Sequence, residues 1–430
     1  MTLRLDAREP GFPDAFAALL SAKRETADDV DGAVERIIAD VARDGDEALV
    51  AFTRRFDRHD VTAAGLGITP EEVEAATQAA DPDALDALRF AHDRIRRFHE
   101  AQRPADHETD GRDGVRSGWR WTPIAAVGLY VPGGTASYPS SVLMNAVPAK
   151  VAGVERLVMV VPTPDGIANP LVLAAAAIAG VDEIYRVGGA QAVAALAYGT
   201  GTIRPVDKIV GPGNAWVAAA KRRVFGRVGI DMIAGPSEVL ILADGSANPE
   251  WVAADLLAQA EHDEAAQSIL IAASAELADA VVAAVERQLP TLPRAAIAGA
   301  SWRDYGAVIV VERLEDALPL VDRLAPEHLE IEAADADALA ARVRNAGAIF
   351  LGAHTPEALG DYVAGPNHVL PTARSARFSS GLGVPDFMKR TSILRGSPEA
   401  LRLLGPAAVA LARAEGLEGH ARSVALRLGA

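Results

Sequence analysis

The chain has 430 residues, half of them hydrophobic, with 58 acidic and 42 basic side chains and a formal charge of −16. That length suggests two to four domains around a sizeable core, and the acidic balance argues against nucleic acid or an anionic membrane surface as a partner. Cysteine is absent, which removes disulfides, thiolate metal sites and cysteine nucleophiles and leaves nitrogen and oxygen as metal donors.

Residues 1–10 carry Arg4, Asp6, Arg8 and Glu9 without an apolar core, unlike a secretory signal. The first helical pattern places Val34, Ile37, Ile38, Val41, Leu49 and Phe52 at helical spacing. Thr69-Pro-Glu-Glu72 reads as a capping box with proline at the first helical position, opening a helix that runs toward Phe98. From Pro123 strands and helices alternate. Strand-like runs at 124–130, 156–161, 183–187 and 208–210 are separated by alanine-rich helical stretches at 140–152, 170–179, 190–198 and 215–224. A second series of strands follows at 239–243, 268–272, 307–311, 328–332 and 348–351. This alternation predicts parallel sheets covered by helices, and two such series predict two α/β domains with a cleft between them. The longest apolar stretch, residues 171–181, is too short to span a bilayer, so a soluble cytoplasmic protein is expected. Residues 352–397 are rich in Gly, Pro and Ser, and Ser397-Pro398 caps a return to helix that ends in 411–428.

The residue types able to do chemistry cluster in short motifs. Gln259-Ala-Glu-His262 sits in a helix that starts at the Asn248 cap and Pro249, and its spacing puts an amide and an imidazole on one face, within reach of one metal ion. A polar helix end facing solvent is the competing reading. Pro326-Glu327-His328 places an acid and an imidazole side by side at a helix-to-strand junction, a plausible acid/base pair or an ordinary ion-paired turn. Gly360-Asp361-Tyr362 and Gly365-Pro-Asn-His368 lie in the glycine-rich section, offering a metal ligand and a substrate contact, or plain solvated loop. Glu415 and His420 lie in the C-terminal helical tail, where a charged residue is normally just solvated. The remaining histidines, His59, His92, His99, His107 and His354, have no suggestive company. The glycine motifs Gly128-Leu-Tyr130-Val-Pro-Gly133-Gly134, Gly188-Gly-Ala-Gln191 and Gly211-Pro-Gly-Asn214 each follow an expected strand and precede a helix. That is where open α/β sheets bind ligands. None matches the G-x-G-x-x-G dinucleotide fingerprint, and tight strand-to-helix turns would account for any one of them.

Together these pieces closely resemble the histidinol dehydrogenase family along essentially the whole chain. The resemblance is carried by Gly128 through Met144, Gly188-Gly-Ala-Gln-Ala-Val-Ala-Ala-Leu196, Lys208-Ile-Val-Gly-Pro-Gly-Asn214 and Asp231-Met-Ile-Ala-Gly-Pro-Ser237-Glu. It continues through Leu257-Ala-Gln-Ala-Glu-His-Asp263, Ala325-Pro-Glu-His-Leu329, Gly365-Pro-Asn-His-Val-Leu-Pro371, Lys389-Arg-Thr-Ser392 and Glu415-Gly-Leu-Glu-Gly-His420. The resemblance implies oxidation of L-histidinol to L-histidine in two NAD-dependent steps through a bound aldehyde. It also implies one zinc ion (Zn2+) per subunit on Gln259, His262, Asp361 and His420, and a catalytic pair in Glu327 and His328. Substrate contacts would come from Ser237, His368 and Glu415 together with Gln259, His262, His328, Asp361 and His420. NAD contacts would come from Tyr130, Gln191 and Asn214. A homodimer is implied, with the tail of one subunit completing the metal site of the other.

The expected fold is therefore two Rossmann-like parallel-sheet domains with a helical N-terminal segment and a small helical tail. Residues 1–25 would pack with the C-terminal part, 26–129 with 238–381 would form a discontinuous first domain, 130–237 the NAD-binding domain, and 382–430 the tail. Three other functions compete: a dehydrogenase of another small alcohol such as a sulfonated diol, a zinc hydrolase using Glu327 as base, and a non-catalytic nucleotide-binding regulator. Glu415 and His420 favour histidinol over other alcohols, and the lack of H-E-x-x-H speaks against the hydrolase.

Overall fold

A computed structural model describes residues 2–22, 30–111, 113–133 and 138–429. Gly134 to Ser137, part of the first glycine motif, and the expected boundary near residue 25 lie outside the described residues.

Every expected strand run forms, within two residues at each end. They build two parallel sheets, and Val, Ile, Leu and Ala fill the strand interiors because helices cover both faces. The five-stranded sheet runs Glu183–Tyr185, Arg156–Val160, Ala126–Tyr130, Lys208–Val210, Gly229–Ile230. The six-stranded sheet runs Leu3–Asp6, Ala307–Val310, Gln267–Ala272, Glu238–Ala243, His328–Glu332, Ala348–Leu351. The N-terminal segment thus contributes an edge strand, with buried Leu5 and Phe16 packed onto the core of the six-stranded sheet.

Two expectations change. Helices Asp31–Asp44 and Pro82–Glu100 do not pack chiefly on residues 238–381, although Arg94 and His99 of the second reach Val363, Ala364 and Asn367. They pack on helices Gly189–Tyr198, Ala215–Val224, Pro139–Ala152 and Pro170–Ala179, which cover the five-stranded sheet, and strand Ala126–Tyr130 lies at that sheet's centre. The amphipathic stripe of Val34, Ile37, Ile38 and Val41 needed an apolar partner, and its pattern did not say which. The region from 382 is also not all helix. Met388–Gly396 is a nine-residue strand antiparallel to Val115–Pro123, which pairs in turn with His107–Asp110. Its residues are exposed on both faces, so no two-residue apolar period marks it. Helices Pro398–Ala414 and Glu418–Leu428 pack on each other, and the first of them packs on that strand. Among the described residues no helix is long and apolar enough to cross a membrane.

Candidate active site

The N-terminal edge of the six-stranded sheet holds the acid and the imidazole. Glu238 and His328 begin adjacent parallel strands, with His328 opposite Val239. The backbone of Glu238 holds both candidates: its N–H donates to Glu327 Oε2 at 2.9 Å, and its carbonyl lies 2.9 Å from His328 Nδ1. That contact makes Nδ1 the donor, leaving Nε2 with the free lone pair. Nε2 is buried, without a hydrogen-bond partner among the described residues, 3.8 Å from Asp361 Oδ1. Burial lowers the pKa of His328, so the imidazole is neutral at neutral pH. Ser237 sits half-buried just ahead of the same strand edge.

Asp361 lies in the short helix Glu357–Tyr362 rather than in open loop, and that helix packs on Pro249–Ala260, the helix carrying Gln259. The latter helix is capped as expected, Asn248 accepting from Glu250 N, but it ends at Ala260. His262 stands just beyond, and a turn with its N–H on Gln259 O keeps the two residues together. His262 Nε2 is 4.0 Å from Asp361 Oδ2. Gln259 is fully buried, yet among the described residues neither atom of its amide has a partner, an arrangement that costs stability unless something else binds there. His368 joins the same group: Nδ1 is 3.0 Å from the Asp361 carbonyl and Nε2 is 3.3 Å from Ser141 Oγ. Ser141 belongs to the helix following strand Ala126–Tyr130, so this contact ties the two sheet units together at the site.

The carboxyl edge of the five-stranded sheet carries the glycine turns. Tyr130 is buried, accepts from Gly189 N through its hydroxyl at 3.1 Å, and is pushed up to about 12 by that burial. Gln191 is buried in the first turn of the helix that Gly189 opens. Asn214 is exposed and caps the helix Ala215–Val224, its Oδ1 accepting from the Trp216 and Val217 N–H groups. Glu415 and His420 are exposed on the C-terminal helices. Among the described residues no hydrogen bond or ion pair joins either of them to the groups around Asp361.

The sequence matches the histidinol dehydrogenase family over residues 20–428. It is 66% identical to the histidinol dehydrogenase of Mesorhizobium japonicum, with 100% of both chains covered. It is 65% identical to that of Rhodospirillum rubrum, covering 100% of this chain and 99% of the relative. The crystal structure of histidinol dehydrogenase from Elizabethkingia anophelis superposes with a TM-score of 0.95 at 34% identity, covering 100% of this chain and 98% of that one. The chain belongs to the histidinol dehydrogenase family.

One group in this histidinol dehydrogenase fold escaped the motif reading. Glu357 is buried, with Oε1 3.5 Å from His328 Nδ1 and Oε2 unpartnered. His262, Glu357 and Asp361 each bring a ligand atom within 4.8 Å of the others. The signal available was the four-residue spacing of Glu357 and Asp361, which places both on one helical face. Deeper in the fold, Glu330 and Glu332 share the strand face of His328, and with Asp255, one turn before Gln259, they form a second carboxylate cluster. Desolvation, with the neighbouring Asp255 charge, raises Glu330 well above the carboxylate range and Glu332 from 4.5 to about 7. Desolvation likewise raises Asp255 to about 6.

Two outcomes follow for the metal-free protein. Replacing the unpartnered amide in Gln259→Leu removes two buried polar atoms, so the chelator-treated protein gains about 1–3 kcal/mol while any bound metal is retained less well on dialysis. Urea midpoints and metal analysis check both, and a destabilised chelated variant would show that the amide is satisfied. Glu332 binds a proton in the folded chain and not in the unfolded one between pH 4.5 and about 7. Its contribution therefore makes stability fall as pH rises through that window. Glu332→Gln should flatten this slope in denaturant titrations at several pH values, and an unchanged slope would mean that Glu332 is ionised when folded.

Proposed function

We propose that the chain oxidises L-histidinol to L-histidine through bound L-histidinaldehyde, the last steps of histidine biosynthesis, using two NAD and one zinc per subunit. One observation carries this reading: Glu327 and His328 are fixed on the backbone of Glu238 with the free Nε2 aimed toward Asp361. Gln259, His262 and Asp361 would hold the metal, with His420 supplied by the tail of a second copy. The donor set of imidazole, carboxylate and amide suits zinc, and also manganese or cobalt, and the unpartnered buried amide of Gln259 supports a ligand there. Tyr130, Gln191 and Asn214 would shape the NAD site at the carboxyl edge of the five-stranded sheet. When bound, zinc supplies an anchor for the substrate's imidazole and amine, and NAD supplies the hydride acceptor.

The chain's own residues do the remaining work. His328 Nε2 takes the hydroxyl proton as the hydride leaves the alcohol carbon, its neutral form being maintained by burial. Ser237, His368 and Glu415 orient the substrate. Glu327, held by the Glu238 N–H, assists addition of water to the aldehyde, and the resulting diol loses the second hydride. Retaining the substrate's imidazole and amine between steps keeps the aldehyde from escaping.

A homodimer is consistent with the exposed apolar side chains of the tail, among them Leu394, Leu403, Leu411 and Leu426. Tail exchange makes a specific prediction. His262→Asn and His420→Asn proteins are each inactive, but unfolding and refolding them together restores about a quarter of the parental sites through mixed dimers. No recovery would place His420 outside the partner's site.

The decisive assay is NADH formation from histidinol, with and without chelator and added zinc. No NADH, or activity indifferent to chelation, would sink the proposal. In single turnovers, Glu327→Gln slows aldehyde oxidation by about 100-fold or more and alcohol oxidation less; equal losses would remove the proposed role of Glu327.

A further inference from the structure

The turn after strand Lys208–Val210 is held by an ion pair that no catalytic role explains. Lys221 and Asp231 are both almost fully buried side chains and are paired with each other. Lys221 lies two turns into the helix that Asn214 caps. Its ammonium donates to the Gly211 carbonyl at 3.0 Å. Asp231, just past strand Gly229–Ile230, accepts from Gly211 N through Oδ2 at 2.8 Å. Both backbone polar groups of a single glycine are therefore taken by one ion pair.

Gly211 needs that hold. Its φ of +114° lies where a side chain is strained, and a Cβ there would stand 2.2 Å from the Tyr130 carbonyl. The chain at 211 has left the sheet's hydrogen-bond ladder and presses directly against the end of strand Ala126–Tyr130. Unmet backbone groups at such a place are costly. A buried ion pair is a poor general stabiliser, since apolar side chains of similar size often do as well or better. What this one provides is local: it fixes the peptide planes on both sides of Gly211 and so the path through Pro212 and Gly213 to Asn214 and the helix N-terminus. Tyr130, against which the turn is pressed, also binds the next glycine turn through Gly189 N. One rigid assembly thus spans the carboxyl ends of neighbouring parallel strands, where a dinucleotide's phosphates and ribose bind in open α/β sheets.

We infer that Lys221 and Asp231 are positioning residues for the dinucleotide: their ion pair clamps Gly211 and presets the turn that carries Asn214. This rests on the NAD reading given above. The test compares two charge-free pairs in the full-length zinc-loaded enzyme. Lys221→Met with Asp231→Leu keeps neither bond to Gly211. Lys221→Gln with Asp231→Asn keeps a donor and an acceptor. The measurements are KM for NAD and for histidinol, kcat, NAD binding by titration calorimetry, zinc content and melting temperature.

The Met/Leu pair should raise the KM and Kd for NAD at least about tenfold, with the histidinol KM and zinc content within about twofold of the parent. The Gln/Asn pair should stay within about threefold of the parent for NAD. A folded Met/Leu protein with parental NAD affinity overturns the inference, as does a fall in melting temperature that moves both KM values together. If the Met/Leu pair does not fold, the Gln/Asn pair still decides, because a tenfold loss of NAD affinity there excludes a clamp made of hydrogen bonds. A parent that binds no NAD removes the cofactor reading and this inference with it.

Discussion

Glu238 is the residue on which the candidate active site hangs. Its N–H and carbonyl, in the two peptide units that flank its Cα at the start of a parallel strand, bind Glu327 and His328 at once. Its own carboxylate accepts from Ala373 N, which ties in the segment after His368. The register of strands Glu238–Ala243 and His328–Glu332 therefore sets the geometry of the proposed acid/base pair directly. A slip by one residue would turn His328 to the opposite face of the sheet and break both bonds. Backbone is a good anchor for this purpose, because it cannot rotate away as a side chain can. It also fixes the tautomer of His328, which leaves the lone pair on Nε2, the nitrogen on the Asp361 side.

The site draws on opposite edges of the two sheets. The five-stranded sheet offers the carboxyl ends of its strands and the glycine turns, the usual ligand position of open α/β sheets. The six-stranded sheet offers its N-terminal edge, where carboxyl-end logic would not look. The contact of Ser141 with His368 and that of Asn367 with the Met144 carbonyl join the two edges. A hydride acceptor and an acid/base pair can then be built on separate rigid units, each with its own core. The same packing buries several carboxyl groups. Glu330, Glu332 and Glu357 remain close to the acid/base pair in an environment that favours their protonated forms.

Much of this is legible in the residues. Alternating strand and helix runs mark both sheets because fully buried strands and alanine-rich helices differ in length and composition. Caps at Thr69, Asn248 and Ser397 form as read, since an N-cap depends only on residues two or three positions apart. The site motifs are equally local in their chemistry. What was not legible has a common cause. Strand Met388–Gly396 is exposed on both faces and shows no period. Glu357 looks like an ordinary first-turn acid until the fold buries it. Helices Asp31–Asp44 and Pro82–Glu100 carry clear apolar stripes, yet a stripe names no partner.

The sequence by itself determined the α/β class, the strands of the two parallel sheets to within two residues and the residues able to accept protons or bind a metal, because these follow from periodicity, capping and side-chain type within a few residues. Tertiary structure alone decided which sheet the N-terminal helices cover, that Gln259 is buried with an unmet amide, and that His328 keeps Nε2 free. It also decided that a buried Lys221–Asp231 pair holds Gly211. Each of these is a contact between positions far apart in the chain, set by which apolar faces close on one another and by which polar groups are then left to find partners.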